Sequence, residues 1–325
     1  MKKILGMMTA AMMLAGTAHA EFPERNIENI YPWGPGATMA ASQVIADAMG
    51  NELGVNISVV STPGAVGTKA FQTAMEKPAD GYTIFDGYVA PLVLQPMMGN
   101  ADWTYKDFKP LWSGTSNSFA IVVREDDDRF ADFPALIKYA QENPGDLRYS
   151  PGVTGGLPHM VAAKTLQTSD AVAQVVPYPE IDNAVKDLRG GILDFVVINP
   201  GVYTANKDSI RPLAVLSELE GASATYDGAP RVQDFGTELG MTGLSPMGWN
   251  WWLVRSETPD DVTQKLRDAM GAALARDDVQ EKLMSMGYVP LGYGPDQYED
   301  IVGPVAEELQ SGIDAIAWEK AQLNK

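Results

Sequence analysis

The sequence predicts an α/β protein. Short apolar runs alternate along the chain with segments whose apolar residues recur every three or four positions, a pattern typical of sheets covered by helices. No internal repeat or low-complexity stretch interrupts this alternation. Of the 325 residues, 45% are hydrophobic, so the chain is able to bury a substantial core, and its length is sufficient for two domains.

Eight segments are predicted to form strands, because each is short, rich in β-branched or aromatic residues and bounded by turn residues. They are residues 27–31, 57–60, 83–85, 120–124, 147–150, 174–176, 195–198 and 212–216. Helices are predicted between them, at residues 39–49, 69–77, 134–141, from 260 onward and 295–323. Gly50 is expected to end the first helix, and Pro304 is expected to kink the last. Asp260 and Asp261 favour a helix start, because acidic side chains interact well with the positive end of a helix.

The first 20 residues have the features of a secretory signal peptide. Lys2 and Lys3 precede an apolar run, and Ala18 and Ala20 form a small-residue cleavage site. We expect cleavage after Ala20 and export of the mature chain, for which a bacterial periplasm is the best match. The apolar run is shorter than a membrane-spanning helix, and no later run approaches that length. Because the chain has no cysteine, disulfides and thiolate metal sites are excluded.

The chain is strongly acidic, with a formal net charge of -18 that becomes -20 once Lys2 and Lys3 are removed. Such a surface repels phosphate backbones and anionic lipids, which argues against a role on nucleic acid or at a membrane surface. The acidity is interpreted chiefly as an aid to solubility. It is compatible with a small anionic ligand, because peptide N–H groups and helix ends act at short range, where the global charge is screened.

Three loops share one arrangement, in which a predicted strand is followed by glycine and proline and then by a helix. They are residues 32–38 (PWGPGAT), 62–68 (TPGAVGT) and 150–159 (SPGVTGGLPH). Glycine lets the backbone come close to a ligand, and the helix start behind it offers unpaired N–H donors. In open α/β sheets, ligands bind at the carboxyl ends of the strands. Any one of these loops is compatible with an ordinary turn, but three together favour a ligand site.

The motifs of common enzyme classes are missing. "GLSPMG" has Met247 where a nucleophile elbow needs glycine, "GPGATM" lacks the third glycine of a dinucleotide fingerprint, and no GK[ST] exists. His159 is the single histidine after the leader, so a Ser–His couple would have to be built on it. The acidic residues lack metal-loop spacing. We therefore expect neither a metal site nor a cofactor.

Six segments follow one another in an order known from one protein family. They are YPWGPGAT (31–38), STPGAVGTKAFQTAMEKPADGYTI (61–84), SPGVTGGLPHMVAAKTL (150–166), VVPYPEIDNAVKDLRGGILDFVVIN (175–199), IRPLAVLSE (210–218) and GWNWWLVRSETPDDVTQKL (248–266). In this order they resemble the receptors of tripartite tricarboxylate transporters, also known as Bug-type periplasmic solute-binding proteins. The resemblance covers nearly the whole mature chain.

The resemblance implies a two-lobed, type II periplasmic-binding-protein fold of the Venus-flytrap kind, in which the chain crosses twice between the lobes. We expect lobe one at residues 21–122 and 246–325, and lobe two at residues 123–245. Members of the family bind carboxylates in the cleft, close by a hinge motion and deliver the cargo to a multi-span membrane permease. The resemblance therefore implies a monomeric, non-enzymatic receptor for a small organic carboxylate, with this permease as its partner.

By the same resemblance, the ligand is expected to contact the three loops and neighbouring strand ends. The first lobe is expected to contribute Trp33, Gly34, Gly36, Thr38, Gly64, Ala65, Val66, Gly67, Asp86 and Tyr88, and the second Ser150, Thr154, Gly155, Gly156, His159, Tyr178 and Asn199. No catalytic residue is implied. This sequence departs from the family pattern at two places near the expected cleft rim, and these departures leave the identity of the ligand undetermined. Met39 and Gln43 stand where the family has aspartate and arginine, and Pro179-Glu180 follow a PY pair that the family writes PY-K-G.

His159 lies in the opening turn of a helix that is predicted to begin near Leu157, with Pro158 at an allowed first-turn position. Two roles remain open for it: donating to a ligand carboxylate, or hydrogen-bonding a neighbouring carbonyl and holding the turn. The positive end of the helix favours a neutral imidazole in either role.

The tryptophans fall into two groups. On a strand, alternation would place Trp249 and Trp251 on one face and Trp252 on the other, and core packing is the favoured interpretation for all three. Trp33 and Tyr88 adjoin the predicted cleft loops and are better placed to stack on a ligand. Because Met39 stands where the family has an acid, a less polar or aromatic carboxylate is the expected ligand.

Two other classes of function remain open. A secreted enzyme acting on small organic acids would need a general acid or base in the cleft, for which Asp86, Glu180 and His159 are the candidates. A sensory adaptor that presents its ligand to a receptor kinase would share the same pocket.

Overall fold

Two five-stranded sheets form the centres of two lobes. The computed structural model describes residues 22–116, 118–240 and 248–324, so the predicted leader and its cleavage site lie outside the described residues. The strands are β1 (Ile27–Tyr31), β2 (Ile57–Ser61), β3 (Thr83–Tyr88), β4 (Phe108–Ser113), β5 (Thr115–Ser116), β6 (Phe119–Arg124), β7 (Arg148–Ser150), β8 (Gln174–Val175), β9 (Phe195–Ile198), β10 (Ile210–Leu216), β11 (Asn250–Arg255) and β12 (Val289–Pro290).

Helices cover both sheets. They are α1 (Ala37–Leu53), α2 (Thr68–Met75), α3 (Gln95–Met97), α4 (Phe133–Glu142), α5 (Leu157–Thr168), α6 (Ile181–Arg189), α7 (Pro200–Asn206), α8 (Asp260–Leu274), α9 (Asp277–Ser285), α10 (Tyr298–Val302) and α11 (Val305–Leu323). Within the described ranges, none of these helices combines the length and the apolar character needed to cross a membrane.

The first sheet has the strand order β2-β1-β3-β11-β4. In it, β1 pairs in parallel with β2 and β3, while β11 pairs antiparallel with β3 and β4. The second sheet has the order β10-β6-β9-β7-β8, with β7 parallel to β8 and β9, and β6 antiparallel to β9 and β10. A two-stranded sheet joins β5 to β12. In the first sheet β11 runs antiparallel to both of its neighbours, and in the second sheet β6 does the same.

The chain leaves the first sheet after β4 and returns to it with β11. All of β6 lies in the second sheet, including residues 119–122, which the predicted division assigns to lobe one. The second predicted crossing, at 245/246, falls on residues outside the described ranges. The exact division into lobes therefore stays a prediction.

The core is arranged in layers on the two faces of each sheet. Trp249 and Trp251 belong to a large apolar cluster that also includes residues of the second sheet, such as Tyr149 and Phe195. Trp252 belongs to the cluster on the opposite face of the first sheet, beneath α1 and α8. All three tryptophans are buried. The predicted alternation and core role are thus confirmed.

All eight predicted strands are present, and two of them, 27–31 and 195–198, match residue for residue. Besides β11, which the sequence analysis treats as a strand only in the alternation of its tryptophans, the predicted set lacks β4, β5 and β12. Pro110 interrupts the apolar pattern of β4, and the sheet tolerates it because β4 is an edge strand. The other two strands contain only two residues each, too few for any periodicity.

The predicted end of α1 at Gly50 is wrong. The helix continues to Leu53 and ends at Gly54, whose φ of 72° is the left-handed conformation usual after a helix. Gly50 is required for a different reason, since a Cβ there would lie 2.6 Å from the carbonyl oxygen of Val55. The predicted interruption at Pro304 is confirmed, because α10 ends at Val302 and α11 begins at Val305.

Candidate functional site

A cavity of about 530 Å³ lies between the two lobes. The loop after β1 and the segment after β3 form one side, and the first turns of α5, α6 and α7 form the other. Its lining residues are Tyr31, Trp33, Gly34, Pro35, Gly36, Ala37, Thr38, Val66, Tyr88, Val89, Ala90, Phe119, Val153, Gly156, Leu157, Pro158, Glu180, Ile181, Asp182, Asn199, Gly201, Val202, Ala205 and Gly248. Its volume suits a small organic molecule.

Eight of the predicted site residues line this cavity. They are Trp33, Gly34, Gly36, Thr38, Val66, Tyr88, Gly156 and Asn199. The other nine predicted residues are not part of its lining. They are Gly64, Ala65, Gly67, Asp86, Ser150, Thr154, Gly155, His159 and Tyr178. All four predicted residues of the first loop thus line the cavity, whereas the second and third loops contribute one each, Val66 and Gly156.

Two helices begin at the cavity with a glycine as the N-cap residue. The N-cap residues of α1 and α5 are Gly36 and Gly156, and neither has a side chain that could accept from the first turn. The first backbone bond of α1 runs from the N–H of Ala40 to the oxygen of Gly36. The preceding N–H groups lie outside the helical ladder, and together with the helix dipole they make a site for an anion.

Acidic residues are distributed unequally among the helix starts. The first turns of α1, α5 and α7, all at the cavity, carry no acidic residue, whereas that of α6, also at the cavity, carries Asp182. In contrast, α8, α9, α10 and α11 each carry two. In a chain with net charge -18, this leaves three positive helix ends without an internal counter-charge where a ligand would lie.

Asn199 is the N-cap of α7. Its Oδ1 accepts from the N–H of Val202 at 3.0 Å, so the side chain satisfies the protein's own backbone. Pro200 and Gly201 follow, and a Cβ on Gly201 would lie 2.6 Å from the Cβ of Ala37 in α1. The start of α7 thus packs directly against the start of α1, and this contact closes one side of the cavity.

Aromatic rings form an apolar wall in the first lobe. Trp33 and Tyr88 meet edge to face with ring centroids 5.9 Å apart, and Tyr31 approaches Tyr88 at 6.1 Å. Tyr88 is 5% exposed, and all three line the cavity. This wall suits the apolar body of a ligand whose charged end lies at the helix starts.

The second glycine loop is strained. Ala65 and Val66 have φ values of 47° and 52°, which side chains with a Cβ rarely adopt, and Gly64 and Gly67 on either side also have positive φ. Gly67 has little space, since its Cβ would lie 3.0 Å from the ring of Pro91. Only Val66 of this loop reaches the cavity.

The expectation that Asp86 faces the cleft is wrong. Its carboxylate is fully buried beneath α1, where it accepts from the hydroxyl of Ser42 at 2.8 Å, from Nδ2 of Asn250 at 2.8 Å and from Nδ2 of Asn29 at 3.3 Å. Asp86 and Tyr88 do share one face of β3, as alternation requires, but Tyr88 lies nearer the strand end and reaches the cavity first. Asp86 therefore joins α1 to the first sheet.

Burial raises the pKa of Asp86 to about 7, because desolvation outweighs the hydrogen bonds from its three polar neighbours. Between about pH 4 and about pH 7, the unfolded chain releases this proton while the folded protein retains it, so the folded state loses stability as the pH rises. We expect the free energy of unfolding of Asp86→Asn, relative to the wild type, to increase over this range. Urea denaturation at several pH values measures it, and a pH-independent difference would contradict it.

His159 supports the turn and does not line the cavity. It is 3% exposed, its Nδ1 accepts from the N–H of Gly155 at 3.0 Å, and its Nε2 lies 3.0 Å from Oε2 of Glu319. Because Nδ1 accepts, the proton of a neutral imidazole is on Nε2 and is donated to Glu319. The supporting role is the one that the structure favours, although the partners are an amide and a carboxylate where a carbonyl was expected.

Glu319 is a residue that the sequence analysis missed. It lies on α11, is 2% exposed, and also accepts from the hydroxyl of Tyr149 at 2.6 Å. In this way the C-terminal helix is joined to β7 and α5 of the second lobe, on either side of the glycine turn. The one sequence signal for Glu319 is its spacing: it falls in line with the residues of α11 that face the core, where an acidic side chain is unusual.

Glu319→Ala is expected to destabilise the protein by about 2–5 kcal/mol, because the Nε2–H of His159 and the hydroxyl of Tyr149 would both lose their buried acceptor. Glu319→Gln keeps one acceptor oxygen and should cost less. Glu307→Ala, an exposed change in the first turn of the same helix, serves as the control and should stay within about 1 kcal/mol. Equal effects of all three in urea denaturation would contradict this account.

Ser150 and Tyr178, two other predicted site residues, bond within their own lobe. The hydroxyl of Ser150 accepts from the N–H of Gly152 at 3.1 Å, and the hydroxyl of Tyr178 donates to Asp187 at 2.5 Å. Gln43 also lies away from the cavity rim, since its amide bonds to the backbone of Ile57 and Val59 in β2. Of the two departures from the family pattern, only the one at Glu180 is part of the cavity lining.

Two lobes with this strand order and a cleft lined by helix starts define a type II periplasmic binding protein. Comparison with solved structures confirms the fold class. BugD, a periplasmic binding protein, matches with a TM-score of 0.72 and 22% identity, over 92% of this chain and 98% of that one. Rpa4515 of R. palustris, solved with adipate, matches with a TM-score of 0.76 and 20% identity, over 91% and 98%.

The family is shown by sequence. The profile described as "Tripartite tricarboxylate transporter family receptor" matches residues 41–313. The protein BugT of Bordetella pertussis is 25% identical over 314 residues, which cover 94% of this chain and 93% of BugT. The chain belongs to the tripartite tricarboxylate transporter receptor family. It is thus a member of a family of periplasmic solute-binding receptors.

Proposed function

We propose that this protein captures a small organic carboxylate in the cavity between its lobes and delivers it to a tripartite tricarboxylate-type permease in the membrane. The observation that carries the proposal is the pair of uncapped, glycine-started helices, α1 and α5, which begin on opposite sides of the cavity. Their free N–H groups are suited to the two oxygens of a carboxylate. The relative that was solved with adipate supports the same class of ligand.

The ligand is bound and released unchanged. Of the three candidate acid–base groups, Asp86 and His159 are buried in the protein's own hydrogen-bond networks, away from the cavity lining. Only Glu180 lines the cavity. General acid–base catalysis needs a group within hydrogen-bond reach of the reacting atoms. The one other carboxylate among the lining residues is that of Asp182, and both acids belong to the start of α6 and not to the starts of α1 and α5 that would hold the carboxylate of the ligand.

Closure of the lobes over the ligand is part of the proposal. The start of α7 in the second lobe contacts the start of α1 in the first, and Tyr288 bonds the hydroxyl of Thr38 at 2.9 Å beside that contact. A ligand that bonds to both α1 and α5 would hold the lobes in this closed arrangement, because it makes its full set of bonds only when both sides are present.

A thermal-shift screen of organic acids tests the proposal. A ligand that binds only the folded state adds about 2.7 kcal/mol of stability at a concentration a hundredfold above its Kd. We expect at least one mono-, di- or tricarboxylate to raise the melting temperature, and its neutral amide analogue to have no effect. Stabilisation by amines or sugars with none by any acid would overturn the proposal. Analysis of the recovered ligand for turnover tests the absence of catalysis.

A further inference from the structure

The charged groups around the cavity are all of one sign. Glu180 and Asp182 line it, and within the described part of the chain no lysine, arginine or histidine does. Both side chains are exposed, and neither has an ion-pair partner among the described residues. The positive potential in this cavity comes from the helix starts alone, whereas its negative potential comes from two full charges.

These acids lie at a single helix start of the cavity lining. Glu180 is the N-cap of α6 and Asp182 is in the first turn of that helix, in the second lobe. The helix starts without acids are those of α1, α5 and α7. The aromatic wall of Trp33 and Tyr88 and the two acids line the same cavity, so the rest of a ligand whose carboxylate is bound at α1 and α5 meets one or both of them.

The acids do stabilise their own helix, as an acidic first turn generally does. That role alone does not explain their place. The four helices with two acids each in the first turn, α8 to α11, contribute no residue to the cavity, so their charges do not meet a ligand. Those of α6 do, and like charges repel strongly where water is partly excluded.

Resting on the proposed carboxylate-binding function, we infer that Glu180 and Asp182 set specificity by the charge at the far end of the ligand. A ligand with one carboxylate is accepted, a second carboxylate at the far end is rejected, and an ammonium group there is favoured. The preferred substrates are monocarboxylates and amino-carboxylates with an apolar body. This separates the protein from its relative that was solved with adipate, a dicarboxylate.

Two matched series of acids test this inference on the mature protein. Hexanoate, adipate and 6-aminohexanoate share one chain length, and 4-methylbenzoate, terephthalate and 4-(aminomethyl)benzoate share one ring. Within the series that binds, titration calorimetry should give at least about tenfold weaker affinity for the dicarboxylate than for the monocarboxylate, which corresponds to about 1.4 kcal/mol, and the tightest binding for the ammonium acid. A dicarboxylate that binds as tightly as its partners would overturn the inference.

The double variant Glu180→Gln with Asp182→Asn assigns the effect to these residues. It should bring the affinity for the dicarboxylate to within about threefold of that for the monocarboxylate and should weaken binding of the ammonium acid. Asp277→Asn with Glu281→Gln removes two exposed acids from α9, outside the cavity lining, and should leave all affinities unchanged. Equal effects of the two double variants would contradict the assignment. If no acid of either series binds while another carboxylate raises the melting temperature, the inference fails and the proposed function stands. If no carboxylate of any kind binds, the proposed function itself fails.

Discussion

Gly201→Ala is expected to weaken ligand binding at least about tenfold while leaving the fold intact. The added Cβ would lie 2.6 Å from the Cβ of Ala37 and 2.9 Å from the hydroxyl of Tyr288, both in the first lobe. The Cβ of Ala37 is fixed to the backbone of α1 and the ring of Tyr288 is fully buried, so α7 has to retreat from α1. The ligand then loses the simultaneous contacts on both sides of the cavity. Titration calorimetry measures the affinity, and small-angle scattering the opening.

Gly190→Ala provides the matched control for this prediction. Gly190 follows α6 in the same lobe, and a Cβ there would meet its nearest atom at 3.6 Å, an ordinary contact. It should bind ligand like the wild type. Unchanged affinity in Gly201→Ala, with circular dichroism and melting temperature equal to those of the wild type, would mean that binding does not require the contact between α7 and α1.

Trp251→Ala is expected to destabilise the protein by about 3–5 kcal/mol, the largest stability effect that we predict. Trp251 is fully buried in β11, the strand that pairs with both β3 and β4, and its ring packs edge to face on Tyr298 at 4.9 Å. Removal of the ring leaves a cavity between the first sheet and the C-terminal helices. Urea denaturation monitored by circular dichroism provides the measurement.

Trp251→Phe separates packing from hydrogen bonding. The Nε1–H of Trp251 has no partner within the described residues, so phenylalanine removes a buried unpaired donor along with part of the ring. We expect it to cost clearly less than alanine. If Trp251→Phe destabilises the protein as much as Trp251→Ala, the indole N–H of Trp251 does have a hydrogen-bond partner.

The fold was largely predictable because its signals are local. Strands such as β1 and β9 are short, apolar and bounded by turn residues, and α4 begins with an allowed proline. The sequence-based predictions are wrong at positions where tertiary contacts determine the conformation. Pro110 is tolerated in β4 only because the strand lies at a sheet edge, and Gly50 is required by the approach of Val55 and does not end its helix.

The site was predictable at the level of loops and less so at the level of side chains. The glycines before α1 and α5 reveal helix starts, and these do line the cavity. Asp86 and His159 are polar residues beside those loops, and sequence alone does not tell a ligand contact from a buried support. Their partners are distant in the chain: Asn250 follows Asp86 by 164 positions, and Glu319 follows His159 by 160. Only the folded structure brings these pairs together.

The most direct test of the central claim is a crystal structure of the mature protein with the carboxylate that stabilises it most. We predict that the carboxylate oxygens lie within about 3.2 Å of backbone nitrogens in the first turns of α1 and α5, with the ligand body along Trp33 and Tyr88. A carboxylate held by lysine or arginine side chains, or a ligand bound outside this cavity, would contradict the claim.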